Sequence, residues 1–195
     1  MAKWFPAMYD RLMSPLEKRK FRQIRRKLVG KSKGNVLEIG SGTGLNFPYY
    51  NDVNGVVAIE PDQQMREISL ERAEAAQVQI AVISADGQAL PFEDNTFDSV
   101  VATLVFCTIP DPEKALLEMR RVCKPEGDIL FFEHVRAKNR LLQRLQDLAT
   151  PLWKRICDGC HLNRDTLSEI KKTGLKVTRI EKHNRGIFLV IEAVN

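Results

Sequence analysis

The chain has 195 residues, 44% hydrophobic and 28% charged, with 30 Lys and Arg against 25 Asp and Glu for a net charge of +5. A chain of this length buries roughly two-thirds of the surface its unfolded form exposes, enough for one core without disulfide staples, and 11 Gly and 9 Pro exclude a collagen-like or low-complexity chain. No apolar run approaches the roughly 18 residues of a membrane span, and Met-Ala-Lys-Trp-Phe-Pro lacks the apolar stretch of a secretory signal, so a cytoplasmic protein is expected.

Residues 1–33 hold 11 basic and two acidic residues, net +9, which leaves −4 for the remaining 162. Ser14-Pro15-Leu16-Glu17 reads as a capping box with proline at the first helical position, and Gly30 is placed to end the helix. Leu16, Phe21, Ile24 and Leu28 form an apolar stripe opposite a basic face. That face is either a solvated outer surface or a contact with an anionic membrane. Nucleic acid is not expected as a partner, because no recognised module or aromatic-interleaved stripe accompanies the charge.

From residue 34 the chain alternates strands and helices. Strands are expected at 35–39, 55–60, 78–84, 97–106 and 129–132, with a hairpin of strands at 175–181 and 187–193 about Asn184-Arg185-Gly186. Helices are expected after Gly44, over 61–77, from Asp111 to the Lys124-Pro125-Glu126-Gly127 turn, over 141–155 with a break at Pro151, and over 164–172. The pattern predicts one α/β domain over 34–195, a doubly wound and mostly parallel sheet with a terminal antiparallel hairpin, preceded by the basic helical extension of residues 1–33.

Glu38-Ile39-Gly40-Ser41-Gly42-Thr43-Gly44 follows the first strand. Glycines at 40, 42 and 44 let the backbone turn tightly and approach a ligand. Leu45 stands where a G-x-G-x-x-G dinucleotide loop has its third glycine, which disfavours a nicotinamide-dependent oxidoreductase. Glu60 ends the second strand, 20 residues after Gly40, where an acid accepts ribose hydroxyls. Asp86, in Ala85-Asp86-Gly87 after the third strand, is placed to accept from an adenine amine. Together they describe a pocket for an adenosine without phosphates.

These segments resemble the class I S-adenosylmethionine-dependent methyltransferases. The resemblance rests on Val36 to Gly44, Ala58-Ile59-Glu60-Pro61, Ala85 to Phe92, Asn95 to Val101 and Arg121 to Gly127, with Glu126 standing where the family has glycine. It implies a seven-stranded sheet and S-adenosylmethionine as cosubstrate. It also implies Glu60 on the ribose, Asp86 on the adenine amine and the loop Gly40, Ser41, Gly42, Thr43, Gly44 at the methionine portion. Tyr9, Glu38, Pro61, Gly87, Thr103 and Leu104 complete the expected cofactor pocket, with Tyr9 in a lid beside Trp4, Phe5 and Met8. A closer resemblance, carried by Val101 to Cys107, Phe132-Glu133-His134-Val135 and Asp158 to Asp165, is to the methyltransferase-like proteins of animal endoplasmic reticulum and lipid droplets linked to alkyl-thiol methylation. Those begin with an apolar membrane anchor that this sequence lacks, so the expected location is cytoplasmic or membrane-peripheral.

The fourth strand ends in Thr103-Leu104-Val105-Phe106, without the Asn/Asp-Pro-Pro-Tyr signature of many methyltransferases acting on nucleobase and amide nitrogens. An apolar mouth favours a small lipophilic acceptor, a thiol first. Quinone C-methylation and phospholipid N-methylation are the alternatives, and a non-catalytic docking module that keeps the cofactor fold is the third reading. His134, just past the fifth strand, is the expected general base, and Asp158 the second catalytic candidate. The oligomeric state is left open between monomer and homodimer. Cys157-Asp158-Gly159-Cys160-His161 has the spacing of a haem-attachment motif, but that chemistry requires export. A closed zinc site needs four ligands, and the spare imidazoles His134 and His183 are far apart in sequence. No metal is expected, and the four cysteines are read as reduced and inert.

Overall fold

The computed structural model describes residues 17–157 and 159–195, so Ser14, Pro15, Tyr9 and Asp158 lie outside the described residues. A wide turn over Glu17–Phe21 leads into α1 (Arg22–Val29). There follow β1 (Asn35–Ile39), β2 (Gly55–Ile59), α2 (Gln63–Glu74), β3 (Ile80–Ile83), β4 (Phe97–Thr103), α3 (Pro112–Val122) and β5 (Cys123–His134). The chain ends with α4 (Arg140–Ile156), α5 (Thr166–Lys172), β6 (Lys176–His183) and β7 (Phe188–Val194). The seven strands form one sheet in the order β3-β2-β1-β4-β5-β7-β6. All pairings are parallel except those of β7, which runs against both β5 and β6. The strand order reverses between β1 and β4, and the loops that leave those strands open a crevice at their carboxyl ends.

Strand alternation sorts side chains onto two buried faces. Leu37, Ile39, Val100, Ala102, Ile129 and Phe131 pack with Leu116 and Met119 of α3 and Ile170 of α5. Val36, Val101, Leu130 and Phe132 face the other way, against Phe21, Leu28 and Val29. The basic N-terminal helix is thus docked on the domain through its apolar stripe. Phe21 stacks edge-on against Phe132 and Phe188 at ring separations of 5.0 and 4.9 Å.

Four details depart from expectation. No helix follows Gly44: turns lead to a single 3-10 turn at Phe47–Tyr49, whose second position holds Pro48. Fully buried Phe47 and Tyr50 fill the space against the sheet that a helix would have covered. Pro151 does not break α4, because the carbonyl it frees, on Asp147, belongs to an exposed residue and water can satisfy it. β4 stops at Thr103, since Leu104 adopts φ +56°. Cys123 already pairs with Phe97, and the ladder then slips so that Ser99 faces Asp128. Glu126 lies inside that slip at φ +61°, the left-handed conformation that favours glycine.

The helix, the loop and two strands meet in a buried polar network. Arg25, 3% exposed, donates to Asn46 Oδ1 at 2.8 Å, to Thr103 Oγ1 at 2.7 Å and to Glu17 Oε1 at 3.0 Å. Asn46 Nδ2 donates to Glu38 Oε1 and to Thr103 Oγ1, both at 2.9 Å, and the Tyr50 hydroxyl donates to Glu38 Oε2 at 2.7 Å. Both carboxylate oxygens of Glu38 are therefore engaged beneath the glycine loop. Burial raises the Glu38 carboxyl from 4.5 to about 7, against the opposing pull of the Tyr50 and Asn46 hydrogen bonds and the Arg25 charge.

A folded state that holds a proton the unfolded chain releases loses stability as pH rises between the two values. Stability should accordingly decline from about pH 4.5 to about pH 7 through Glu38. In Glu38→Gln that share, on the order of 3 kcal/mol, should vanish, read as a flatter plot of urea midpoint against pH. Glu126→Gly should raise stability by about 1 kcal/mol in the same assay, by removing the left-handed strain.

Candidate functional site

The glycine loop leaves β1 with Gly40 at φ +62° and Gly42 at φ +56°. A Cβ on Gly40 would lie 2.2 Å from Val105 Cγ2, so only glycine lets this loop close against the loop that follows β4. A Cβ on Gly42 would meet nothing within 4 Å, so this turn faces open space. The amide of Ser41 donates to Ile59 O at 3.0 Å, while its hydroxyl is buried without a partner. A buried hydroxyl lacking a partner costs free energy, and a polar ligand lying in the loop would relieve that cost. Thr43 is buried, and its carbonyl accepts from Arg72 Nη1 at 2.5 Å. Gly44 is also left-handed, packed on the Phe47 ring.

Glu60, 7% exposed, stands beside the loop at the end of β2. Its Oε2 accepts from the Gly42 amide and its Oε1 from the Asp62 amide, both at 2.9 Å. Burial raises its carboxyl above the ordinary range, although those two amides pull it down. A carboxylate has about four acceptor positions, so two remain for a pair of hydroxyls. Pro61 follows it on the surface and accepts from Arg66 through its carbonyl at 2.8 Å. Asp86 is exposed and held by Gln88, whose amide and side-chain nitrogen donate to it at 2.9 and 3.0 Å. Gly87 lies against the end of β1, where a Cβ would come 3.2 Å from Ile39 Cγ2. The loops after β1, β2 and β3 are therefore brought together side by side.

Two other expected cofactor contacts sit differently. Glu38 and Thr103 have their polar atoms turned into the Arg25 network, which places them as supports under the loop. Leu104 is half-buried and donates its amide to Phe132 O at 2.7 Å.

Across the Val105 contact lies a second group of side chains that the sequence reading did not assemble. His134 Nε2 is 3.2 Å from Cys160 Sγ, and the ligand atoms of Cys107, His134 and Cys160 all lie within 4.8 Å of one another. Cys157 is buried with the two cysteines. The segment carrying Cys160 is tied over the loop after β4: His161 N donates to Cys107 O at 2.9 Å, and Arg164 donates to Phe106 O and, at 2.6 Å, to Ile109 O. Glu133, fully buried, accepts the amides of Val105 and Phe106 on Oε1 while its Oε2 has no partner. Burial raises its carboxyl to about 7. The hydrogen bond from Cys107, joined by that of His134, lowers the Cys160 thiol to about 5, and burial works against both. Burial lowers the His134 imidazole, but the hydrogen bond and charge of Cys160 outweigh it and the net shift is upward. Cys160 and His134 therefore favour each other's charged form. One signal was available in the sequence: Cys107 and His134 each lie just past a strand expected there, at 97–106 and 129–132. Nothing in the spacing pointed to Cys160.

A methyltransferase-domain family model matches residues 37–131, from β1 into β5. The thiol S-methyltransferase TMT1B of Rattus norvegicus is 32% identical over 165 residues, 83% of this chain and 68% of that protein. A phosphatidylethanolamine N-methyltransferase of Cereibacter sphaeroides is 35% identical over 103 residues, 52% of this chain and 51% of that protein. Among solved structures, a SAM-dependent methyltransferase of Thermotoga maritima has the same fold, with a TM-score of 0.70 over 97% of both chains at 21% identity. S-adenosylmethionine, the methyl donor of this fold, suits a glycine loop with an open side, a buried hydroxyl awaiting a partner and an acid with acceptor capacity to spare. With a relative so similar over most of both chains, this protein belongs to the class I S-adenosylmethionine-dependent methyltransferases and is an enzyme of that class.

Proposed function

We propose that the protein methylates the thiol of a small lipophilic acceptor. S-adenosylmethionine supplies an electrophilic methyl group on a sulfonium. In this reading Glu60 holds the ribose hydroxyls, Asp86 takes the adenine amine, and the amides and Ser41 hydroxyl of the glycine loop hold the methionine end. Glu38 and Thr103 act from below by keeping the loop in place. The acceptor enters beside Leu104, Val105 and Phe106, where apolar side chains exclude water and bring its sulfur to roughly 3–3.5 Å from the methyl carbon. His134 stands on this side, within reach of the acceptor's proton, and Asp158 is the second group named for that task.

The observation that carries the thiol reading is the gathering of Cys107, Cys160 and His134 at the loop that also carries Leu104 and Val105. The likeness to a thiol S-methyltransferase supports it. The likeness to a phosphatidylethanolamine N-methyltransferase supplies the rival acceptor. Release of S-adenosylhomocysteine with an alkyl thiol, a demethylated quinol and phosphatidylethanolamine decides among them. Turnover should be greatest with the thiol, and turnover with the quinol or the lipid alone would overturn the reading.

Glu60→Ala should weaken S-adenosylhomocysteine binding by on the order of 2–3 kcal/mol in calorimetry, since it removes two charge-assisted hydrogen bonds. Unchanged affinity would take Glu60 out of the site.

The surface fits an anionic lipid bilayer as the source of such an acceptor. None of the helices among the described residues is long and apolar enough to cross a membrane. On α4, however, Leu141, Leu145, Leu148, Leu152 and Ile156 follow helical spacing and are 42–80% exposed. Arg140, Arg144, Lys154 and Arg155 accompany that stripe, the composition of a helix lying in a lipid interface. On α1, Arg22, Arg26 and Lys27 add exposed positive charge. Co-sedimentation with phosphatidylglycerol vesicles should fade as salt rises, and Leu148→Asp combined with Leu152→Asp should abolish it. Unaltered sedimentation of the double variant would remove α4 from the contact.

A further inference from the structure

We propose that Cys107, His134 and Cys160 form a three-ligand site for zinc, and that the acceptor's sulfur occupies the remaining position. The second half of this inference rests on the thiol reading above. The first half stands on geometry alone.

Three ligand atoms from three separate segments converge inside the protein. Cys107 follows β4, His134 ends β5 and Cys160 follows α4, and all three atoms lie within 4.8 Å of one another. A tetrahedral zinc with Zn–S of about 2.3 Å and Zn–N of about 2.0–2.1 Å sets its ligand atoms roughly 3.5–3.8 Å apart. The His134–Cys160 separation of 3.2 Å is already near that spacing, and shifts of about 1 Å would close the set round an ion. Two sulfurs and an imidazole select zinc or another soft cation over magnesium or calcium. The ligands are held in place: the Cys107 carbonyl accepts the His161 amide, and Arg164 clamps the neighbouring loop. Glu133, with one buried oxygen lacking any partner, lies close enough to interact electrostatically with all three, so a cation there meets an uncompensated acid.

Structural zinc sites close with four protein ligands, whereas catalytic sites supply three and leave one position open. Here three protein ligands are gathered, and Cys107 lies two residues after Val105, which packs on Gly40 of the glycine loop. A thiol that binds zinc loses its proton, which passes to solvent, so in this arrangement His134 serves as ligand in place of general base. The sulfur lone pair then forms the new S–CH3 bond while the bond between the methyl carbon and the sulfonium breaks. The electron pair of that bond returns to the donor sulfur. Thiolate and sulfonium become two neutral thioethers, and a thioether is too weak a ligand to stay.

The test uses the full chain, loaded with zinc and desalted. Elemental analysis should find one zinc per chain, and competition with a chromophoric chelator should show at least tenfold weaker binding in Cys107→Ser, His134→Ala and Cys160→Ser. Cys123→Ser, a core cysteine outside the cluster, should bind as the parent does. S-adenosylhomocysteine binding checks that each variant is folded. A parent chain that binds S-adenosylhomocysteine but takes up no zinc overturns the site. Should the variants fail to fold, the cobalt-loaded parent replaces them, and absence of a thiolate-to-cobalt charge-transfer band overturns the site equally. Adding an alkyl thiol to the cobalt form should change its visible spectrum, and an unchanged spectrum overturns the open position. Full thiol methylation by zinc-free protein would overturn the catalytic role of the ion and leave the thiol reading intact. Stoichiometric zinc without any thiol turnover would support the ion site and overturn the thiol reading.

Discussion

Glu38 is 1% exposed and carries an acid on a strand whose other inner positions are Val36, Leu37 and Ile39. An isolated carboxylate there would cost several kcal/mol, so its partners must be present for the sheet to form with its glycine loop in place. Asn46 and Tyr50 come from the turn after the loop, Thr103 from the end of β4, and Arg25 from the N-terminal helix. Because Glu38 immediately precedes Ile39 and Gly40, whatever satisfies the acid also sets where the loop begins. Arg25 thereby makes a helix outside the sheet a condition for the geometry of the crevice within it. The guanidinium lies 5.9 Å from the centre of the Phe132 ring, so the helix is held by packing and charge at the same point.

The crevice then follows from strand order. With β1 central and β4 beside it, successive connections leave on opposite faces, and the loops after the two strands diverge. Gly40 and Val105 touch across the gap, which makes that contact the wall between the two ends of the site. On one side stand acids and amides suited to a nucleoside: Glu60, Asp86 and the loop nitrogens. On the other stand Leu104, Val105 and the sulfur–imidazole group. A sulfonium carries one positive charge, and on the proposed reading a polar cradle beside an apolar, polarisable acceptor end would separate the tasks of binding the donor and presenting the nucleophile.

Most of the frame was legible because it is written in local periodicity. The apolar runs of β1, β2 and β4, the Asp111-Pro112 start of α3 and the hairpin about Gly186 each depend on neighbours a few residues apart. Glu60 and Asp86 stood out in the sequence because each lies just beyond its own strand, and the structure brings their loops beside the glycine loop. The misreadings share a different cause. The helix expected after Gly44 was displaced by Phe47 and Tyr50, whose burial depends on the distant Phe21 and Val101 face. Pro151 was read as a break because sequence does not show that Asp147 faces water. Glu38 and Thr103 were placed in the cofactor pocket, and only the arrival of Arg25, 78 residues from Thr103, shows where their polar atoms point. The cysteines were judged by their mutual spacing, which paired Cys160 with Cys157, whereas the fold pairs it with Cys107 and His134.

That last contrast bears on how a chain with 28% charged residues would present a hydrophobic thiol to a cation, as the proposed function requires. Charged groups in contact with the acceptor would be hydrated and would draw water into the reacting space, where it competes for hydrogen bonds and stabilises the free thiolate. Cys107, Cys160 and His134 supply polarisable ligating atoms, and they are held together by the His161 amide on Cys107 O and by the Arg164 side chain on the carbonyls of Phe106 and Ile109. On the proposed thiol reading, an acceptor end built this way would gain its reactivity from what is gathered behind it and keep an apolar face toward the substrate.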